Sequence, residues 1–206
     1  RQIVEDQVVL EAPIATTSFS TPVADVMLWD IESPKVYEVT TQLLYQGQVV
    51  DEKRVTVGFR EALFQKDGFY LNGRKVRIRG LNRHQSYAYV GYAMPESMQR
   101  LDAKILKEEL AVNAVRTSHY PQSHYFMDAC DRLGLLVFTE MPGWQHIGGQ
   151  AWQDQAVENI KDMIVQYRNH PSIILWGVRI NESQDNDAFY ERTNATAHAL
   201  DDTRQT

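Results

Sequence analysis

The sequence predicts an α/β chain: the N-terminal half of an eight-stranded β/α (TIM) barrel, preceded by the C-terminal part of an immunoglobulin-like β-sandwich. Three observations carry this. From about Phe64 onward, short apolar runs alternate with amphipathic segments four times in succession, the pattern of a parallel sheet covered by helices. Polar residues then fall just after each apolar run: Asn82, Arg83 and His84; Ser118 and His119; Glu140; Asn181 and Glu182. A barrel collects such groups at the carboxyl ends of its strands. A dinucleotide-binding open sheet would show Gly-x-Gly-x-x-Gly after its first strand, and Gly80-Leu81-Asn82-Arg83-His84 is not that motif. Finally, residues 1–61 are rich in Val, Thr and Tyr with period-two alternation, the signature of antiparallel strands. A complete sandwich needs about 100 residues and a complete barrel about 250. The expected domains, 1–61 and 62–206, are therefore both partial, and both chain ends are read as cuts within a longer protein.

Each element has its own justification. Val36–Leu43 and Lys53–Val57 flank Gln46-Gly47-Gln48 and form a hairpin; Val4–Leu10 and Ala24–Leu28 are candidate further strands. Phe69–Leu71 and Lys75–Arg79 flank Asn72-Gly73, the preferred pair for a type I′ turn because both positions need positive φ. Pro95–Ala111 is a helix with Met98, Leu101, Ile105 and Leu110 on one face. Asn113–Ser118 is a strand. Pro121 opens a second helix, with Phe126, Ala129, Cys130 and Leu133 inward and Gly134 as its C-cap. Leu135–Phe138 and Ile173–Trp176 are strands buried on both faces. Asp154–Arg168 carries Val157, Ile160, Ile164 and Tyr167 on one side, and Asp187–Leu200 closes the series.

Composition narrows the functional classes. The chain has 206 residues, 43% hydrophobic and 23% charged, with a net charge of −6. No basic excess exists to neutralise phosphates, so no nucleic-acid partner is expected. No apolar run approaches the roughly 20 residues needed to cross a bilayer, so no membrane partner is expected either. One cysteine, Cys130, excludes an internal disulfide or a thiolate metal site. It falls on the apolar stripe of its helix and reads as a small core residue. The compartment stays open.

Several residues could carry chemistry. Glu182 follows the strand Ile173–Trp176, and a carboxylate at a barrel rim beside apolar walls would have a raised pKa, suiting a general acid. The alternative is a surface glutamate. Asn181 beside it could hold a substrate hydroxyl. Asn181-Glu182-Ser183 and Asn194-Ala195-Thr196 also match the glycosylation sequon, a short pattern that decides little. His119 lies between a strand end and a helix start, as a hydrogen-bonding group or as a packed loop residue. Arg83 and His84 share that ambiguity. Arg77 and Arg79 share a strand face, where structural ion pairs are the simpler reading. Glu140 offers a second carboxylate or a structural one. Trp144 and Trp152 could stack on a sugar ring, while Trp176 continues an apolar strand and belongs to a core. A barrel metallohydrolase would need several His and carboxylate ligands at strand ends. The six histidines are instead dispersed.

Longer motifs point further. Gly58-Phe59-Arg60, Leu71-Asn72-Gly73, Arg79-Gly80-Leu81-Asn82-Arg83-His84, Asn113-Ala114-Val115-Arg116-Thr117-Ser118-His119-Tyr120-Pro121 and Asn169-His170-Pro171-Ser172-Ile173-Ile174-Leu175-Trp176, followed by Asn181-Glu182, occur in order along nearly the whole chain. In these the chain resembles glycoside hydrolase family 2, which includes β-galactosidases, β-glucuronidases and β-mannosidases. The resemblance implies a retaining, two-glutamate mechanism on terminal non-reducing β-linked sugars, β-galactosides first. β-Glucuronides and β-mannosides are the alternatives, as is a non-catalytic carbohydrate-binding relative. Glu182 would be the acid/base, with Asn181 on the sugar 2-hydroxyl. His119, Arg83, Glu140 and Trp144 would line the sugar subsite, and the nucleophile would lie on a later strand outside this chain. The implied partners are a carbohydrate and the remainder of the same polypeptide; homo-oligomerisation is left open. No cofactor is expected. The large bacterial β-galactosidases place Mg²⁺ on a Glu-x-His after the third strand, where this chain has Trp144-Gln145-His146, so no metal is expected there. Ile180 replaces the glycine usual before Asn-Glu, which loosens the galactoside assignment.

Overall fold

The computed structural model describes residues 5–9, 17–18 and 20–206. Strands β1 (Tyr37–Tyr45) and β2 (Gln48–Val57) form the expected antiparallel hairpin. Gln46 and Gly47 turn it with φ of 51° and 77°, both positive as a type I′ connection requires. Among the described residues of the sandwich portion, this hairpin is the part that forms strands. The expected strand over 24–28 does not form, and neither do residues 5–9 of the one proposed over 4–10, whose two end residues lie outside the described set.

A three-stranded antiparallel sheet follows: β3 (Ala62–Gln65), β4 (Gly68–Leu71) and β5 (Arg74–Val76). Asn72 and Gly73 turn β4 into β5 with φ of 50° and 76°. The strand proposed for 75–79 stops at Val76. Residues 77–79 are held from the side, because the Asn113 amide donates to the Arg77 carbonyl and the Arg79 N–H donates to the Asn113 side chain. Among the described residues neither Arg77 nor Arg79 forms an ion pair, contrary to the reading of their alternation.

The barrel half is a parallel sheet of β6 (Gly80–Arg83), β7 (Ala114–Thr117), β8 (Leu136–Glu140) and β9 (Ile173–Gly177), in that spatial order. Helices α1 (Glu96–Lys104), α2 (His124–Leu133), α3 (Gln150–Tyr167) and α4 (Asp187–Leu200) complete the units. Beyond α4, Gln205 pairs in parallel with Leu175, so the sheet continues past β9. The main core joins Val115, Val137, Ile173 and Trp176 to Phe126, Met127, Ile160, Ile164 and Phe189 of the helices. Each such fully buried large side chain contributes about 1.5–3 kcal/mol.

Two helices differ from expectation. The first carries a π-helical turn over Ile105–Glu109, with the Leu110 N–H donating to the Ile105 carbonyl. The buried residues are Gln99, Ala103 and Leu106, while Leu101 and Leu110 are exposed. The inward face is shifted because Gln99 and Asp102 must reach a buried arginine on β6, described below. The second helix begins at His124 with Ser123 as N-cap, three residues after Pro121, so the proline does not open it. Gly134 is the left-handed C-cap, with φ of 73°. A Cβ there would stand 2.4 Å from the Ile31 carbonyl oxygen, so the glycine serves both the turn and a close approach.

The amino ends of the strands are capped from below. Ala114, Leu136 and Ile174 pack against Trp29, Phe69, Leu71 and Val76 in a second core. The Trp29 indole donates to the Asp131 carbonyl, and Arg60 donates to the carbonyls of Pro171 and Ile173. The opposite, carboxyl ends of the strands are left for the site.

Candidate active site

Alternation along the strands decides what reaches the site. On β7, Ala114 and Arg116 face the barrel interior, and Val115 and Thr117 face the helices; on β8 the interior residues are Leu136, Phe138 and Glu140. Gly177 ends β9 beside them. A Cβ there would come within 2.6 Å of Glu140 Cγ and 2.8 Å of Phe138 Cε2, so only glycine leaves room for both. The Gly177 carbonyl accepts from the Met141 N–H at 2.8 Å and fixes the exit of β8.

Glu140 is buried and fully engaged. Its Oε1 accepts from Arg116 Nε at 2.6 Å and its Oε2 bonds His119 Nδ1 at 2.7 Å. The Glu140 N–H donates to the Thr117 hydroxyl at 3.3 Å. Arg116 Nη2 reaches on to Asn181 Oδ1 at 2.8 Å. With Nδ1 committed to Glu140, Nε2 is the His119 nitrogen left for another partner. The His119 ring lies 5.7 Å from the Trp144 ring and 5.6 Å from the His84 ring. Each Glu140 oxygen thus has a side-chain partner, the Arg116 guanidinium on one and the His119 ring on the other.

Glu182 stands in front of this group, exposed to solvent. Its Oε2 accepts from the Trp144 indole N–H at 3.0 Å and from the Gln145 amide at 2.9 Å. These two bonds, with the His119 ring and Asn181 as smaller contributors, hold its pKa below the usual glutamate value. The expectation of a raised pKa is therefore corrected: the carboxyl is neither walled by apolar groups nor short of donors, and donors stabilise the ionised form. The backbone is locked as well. Trp144 and Asn181 form a parallel bridge, and the Gln145 N–H donates to the Asn181 carbonyl at 2.8 Å. Gln145 and Glu182 both adopt left-handed φ, 61° and 56°, each costing on the order of 1 kcal/mol for a non-glycine residue.

Five of the six proposed site residues, Glu182, Asn181, His119, Glu140 and Trp144, are brought together. Arg83 is not. It lies buried between β6 and the helices, donating to Asp102 at 2.9 and 2.7 Å, to Gln99 at 2.9 Å and to Gln122 at 2.5 Å, with Phe126 4.0 Å below the guanidinium. Its alternation sends it to the helix side, so it braces the fold instead of lining the subsite. Arg116 and Gln145 complete the group and were assigned no role from sequence. A charged residue inside the apolar run of β7 was a usable signal for Arg116; nothing local marked Gln145. Trp152 packs against Phe189, and Trp176 is buried with its N–H on Asp201 at 2.9 Å.

In the loop after β8 the His146 ring sits edge-on to Trp152, 5.8 Å away. Among the described residues Asp128, Asp131 and His170 are close enough to share an ion. There, Asp131 Oδ1 already accepts from Ser172 and Oδ2 bonds His170 at 2.6 Å, so the trio reads as a structural network under α2.

The fold and this cluster define a β/α-barrel domain with a carboxylate site at the carboxyl face of its strands. The chain belongs to glycoside hydrolase family 2: the model for the family's TIM barrel domain matches residues 63–206, and that described as glycosyl hydrolases family 2 matches residues 2–60. It is 59% identical over 182 residues to a β-galactosidase of Thermoanaerobacterium thermosulfurigenes, covering 88% of this chain and 25% of that one. A β-glucuronidase structure from Parabacteroides merdae is similar at 35% identity and TM-score 0.76, over 86% of this chain and 24% of the other. A β-galacturonidase structure from Eisenbergiella tayi bound to galacturonate is similar at 31% identity and TM-score 0.82, over 91% and 35%. The chain spans about a quarter of the length of the curated relatives it matches. No described helix is long and apolar enough to cross a membrane.

Proposed function

We propose that the chain is the acid/base-bearing part of a retaining β-glycosidase acting on terminal non-reducing β-linked sugars, with β-galactosides as substrates. The observation that carries this is the placement of Asn181 and Glu182 just beyond β9, with the Glu182 carboxylate held open to solvent by Trp144 and Gln145. The 59% identity to a protein named β-galactosidase favours the galactoside. β-Glucuronides are the second reading, favoured by the similarity to a β-glucuronidase structure.

In this reading Glu182 protonates the glycosidic oxygen as the bond to the anomeric carbon breaks. A glutamate on a later strand, outside these residues, attacks that carbon from the opposite side, its carboxyl group about 5–5.5 Å from that of Glu182. Glu182, now ionised, takes a proton from the water that releases the sugar. The low pKa of the isolated arrangement suits the second role. Like-charge repulsion from the nucleophile's carboxylate raises it for the first. Asn181, oriented by Arg116, holds the sugar 2-hydroxyl. His119 Nε2 and the Trp144 ring face the same space, and Glu140 acts through Arg116 and His119.

The test is Glu182→Gln in the full-length enzyme. Turnover of substrates with poor leaving groups should fall by about 10²–10⁴-fold, while the first step with an activated aryl leaving group should lose far less. Equal losses on both would remove Glu182 from the role. A non-catalytic relative would instead lack a glutamate on any later strand.

A further inference from the structure

The two strongest donors on Glu182 come from one loop and point at one oxygen, while the Asn181 side chain beside it contributes less. Trp144 Nε1 and Gln145 Nε2 both address Oε2, at 3.0 and 2.9 Å. That loop is stitched to the Glu182 segment by the Trp144–Asn181 bridge and the Gln145–Asn181 backbone bond. A carboxylate gripped on one oxygen by two donors keeps one rotamer and presents the other oxygen, Oε1, for proton transfer. We infer that Trp144 and Gln145 are positioning residues for the acid/base step, clamping Oε2 of Glu182 so that Oε1 delivers and recovers the proton. This rests on the acid/base reading of Glu182 given above.

The clamp gives Trp144 a role distinct from sugar stacking. Its ring face can meet a sugar while its N–H edge is committed to the carboxylate. It also gives the loop after β8 a function that needs no metal: two neutral donors stabilise the same charge. Other charged groups facing Glu182 are few. His119 comes from the end of β7, and behind it Arg116 and Glu140 neutralise one another. On the Glu182 loop itself, Arg179 is paired with Asp185. The two neutral donors lower the Glu182 pKa the most.

The experiment uses the full-length enzyme with Trp144→Phe, which keeps the ring and removes the N–H, and Gln145→Met, which keeps the length and removes the amide. Each is read as a pH profile of kcat/KM on a substrate with a poor leaving group. Losing a donor destabilises the ionised carboxyl, so the alkaline limb should move to higher pH, by on the order of one unit per donor. Substrates with activated leaving groups should show little loss in the first step. Trp144→Phe acting only through sugar contact would raise KM and leave the limb in place, and an unmoved limb in both variants overturns the clamp. Both side chains are exposed, and either variant alone decides the matter should the other not fold. Glu182→Gln separates the two readings: it should abolish the alkaline limb. If that limb persists in Glu182→Gln, the acid/base assignment fails. If it vanishes there but stands unmoved in the two loop variants, only the clamp fails.

Discussion

Arg116 donates to the Asn181 side chain at 2.8 Å while the same guanidinium donates to Glu140 at 2.6 Å. One planar fork thereby joins the second, third and fourth strands of the barrel half at their carboxyl ends. Glu140 is 4% exposed at its side chain, so the fork also supplies its main countercharge.

Replacing Arg116 with Met should leave Glu140 buried without that countercharge and Asn181 unheld. Stability should fall by about 3 kcal/mol, the usual cost of breaking a buried pair from one side, and kcat/KM by at least about tenfold, the equivalent of 1.4 kcal/mol of lost transition-state binding. Arg116→Lys should restore the charge but not the two-way fork. Thermal unfolding and steady-state kinetics of the three proteins check this. A variant with wild-type kinetics would detach Asn181 orientation from Arg116.

Arg83 gives the contrasting outcome. Its guanidinium is spent on Asp102, Gln99 and Gln122. Arg83→Leu should therefore destabilise by about 3 kcal/mol while KM for the folded enzyme stays within twofold or so of wild type. A large rise in KM at unchanged melting temperature would return Arg83 to the sugar subsite.

Gly177→Ala places a methyl group against Glu140 and Phe138. Overpacking of this kind costs about 1–3 kcal/mol. Because the nearest atom belongs to Glu140, activity should drop along with stability. Gly73→Ala, where a Cβ meets nothing within 4 Å, should cost stability through its positive φ alone and leave activity unchanged.

Acid stability should depend on Asp201. Burial pushes its carboxyl up, but hydrogen bonding from Thr203, the charge of Arg204 and the Trp176 N–H outweigh this and bring it from 3.8 down to about 2. A folded-state value below the unfolded one contributes stability that is full above about pH 4 and is lost as pH falls toward 2. Asp201→Asn should lower the melting temperature at pH 7 and flatten its decline between pH 4 and 2. An unchanged slope there would assign the acid transition to other carboxyls.

Much of this was legible from residues. The apolar runs of β8 and β9, the Gly134 cap, the two positive-φ turns and the polar residues after each strand all express local chemistry, and local chemistry is written in order along the chain. What escaped depended on which way a short strand faces. β6 is four residues long, too short for its own alternation to reveal that Arg83 turns to the helices. The inward face of α1 escapes apolar patterning for a different cause, since Gln99 and Asp102 turn toward a buried arginine. Gln145 meets Glu182 only through the bridge between two loops, 37 positions apart. The ionisation of Glu182 is set across the same bridge, where its neighbours are donors and not hydrocarbon.

The pairing of Leu175 with Gln205 has a consequence for assembly. Spatial order in the sheet equals order of synthesis, from β6 through β9 and on to Gln205. Each of these strands therefore pairs with an edge formed by its immediate predecessor, and none of them lies between two earlier ones. The ladder is thus built from near neighbours in the chain, and its pairing at every step closes a loop no longer than one helix and its connections.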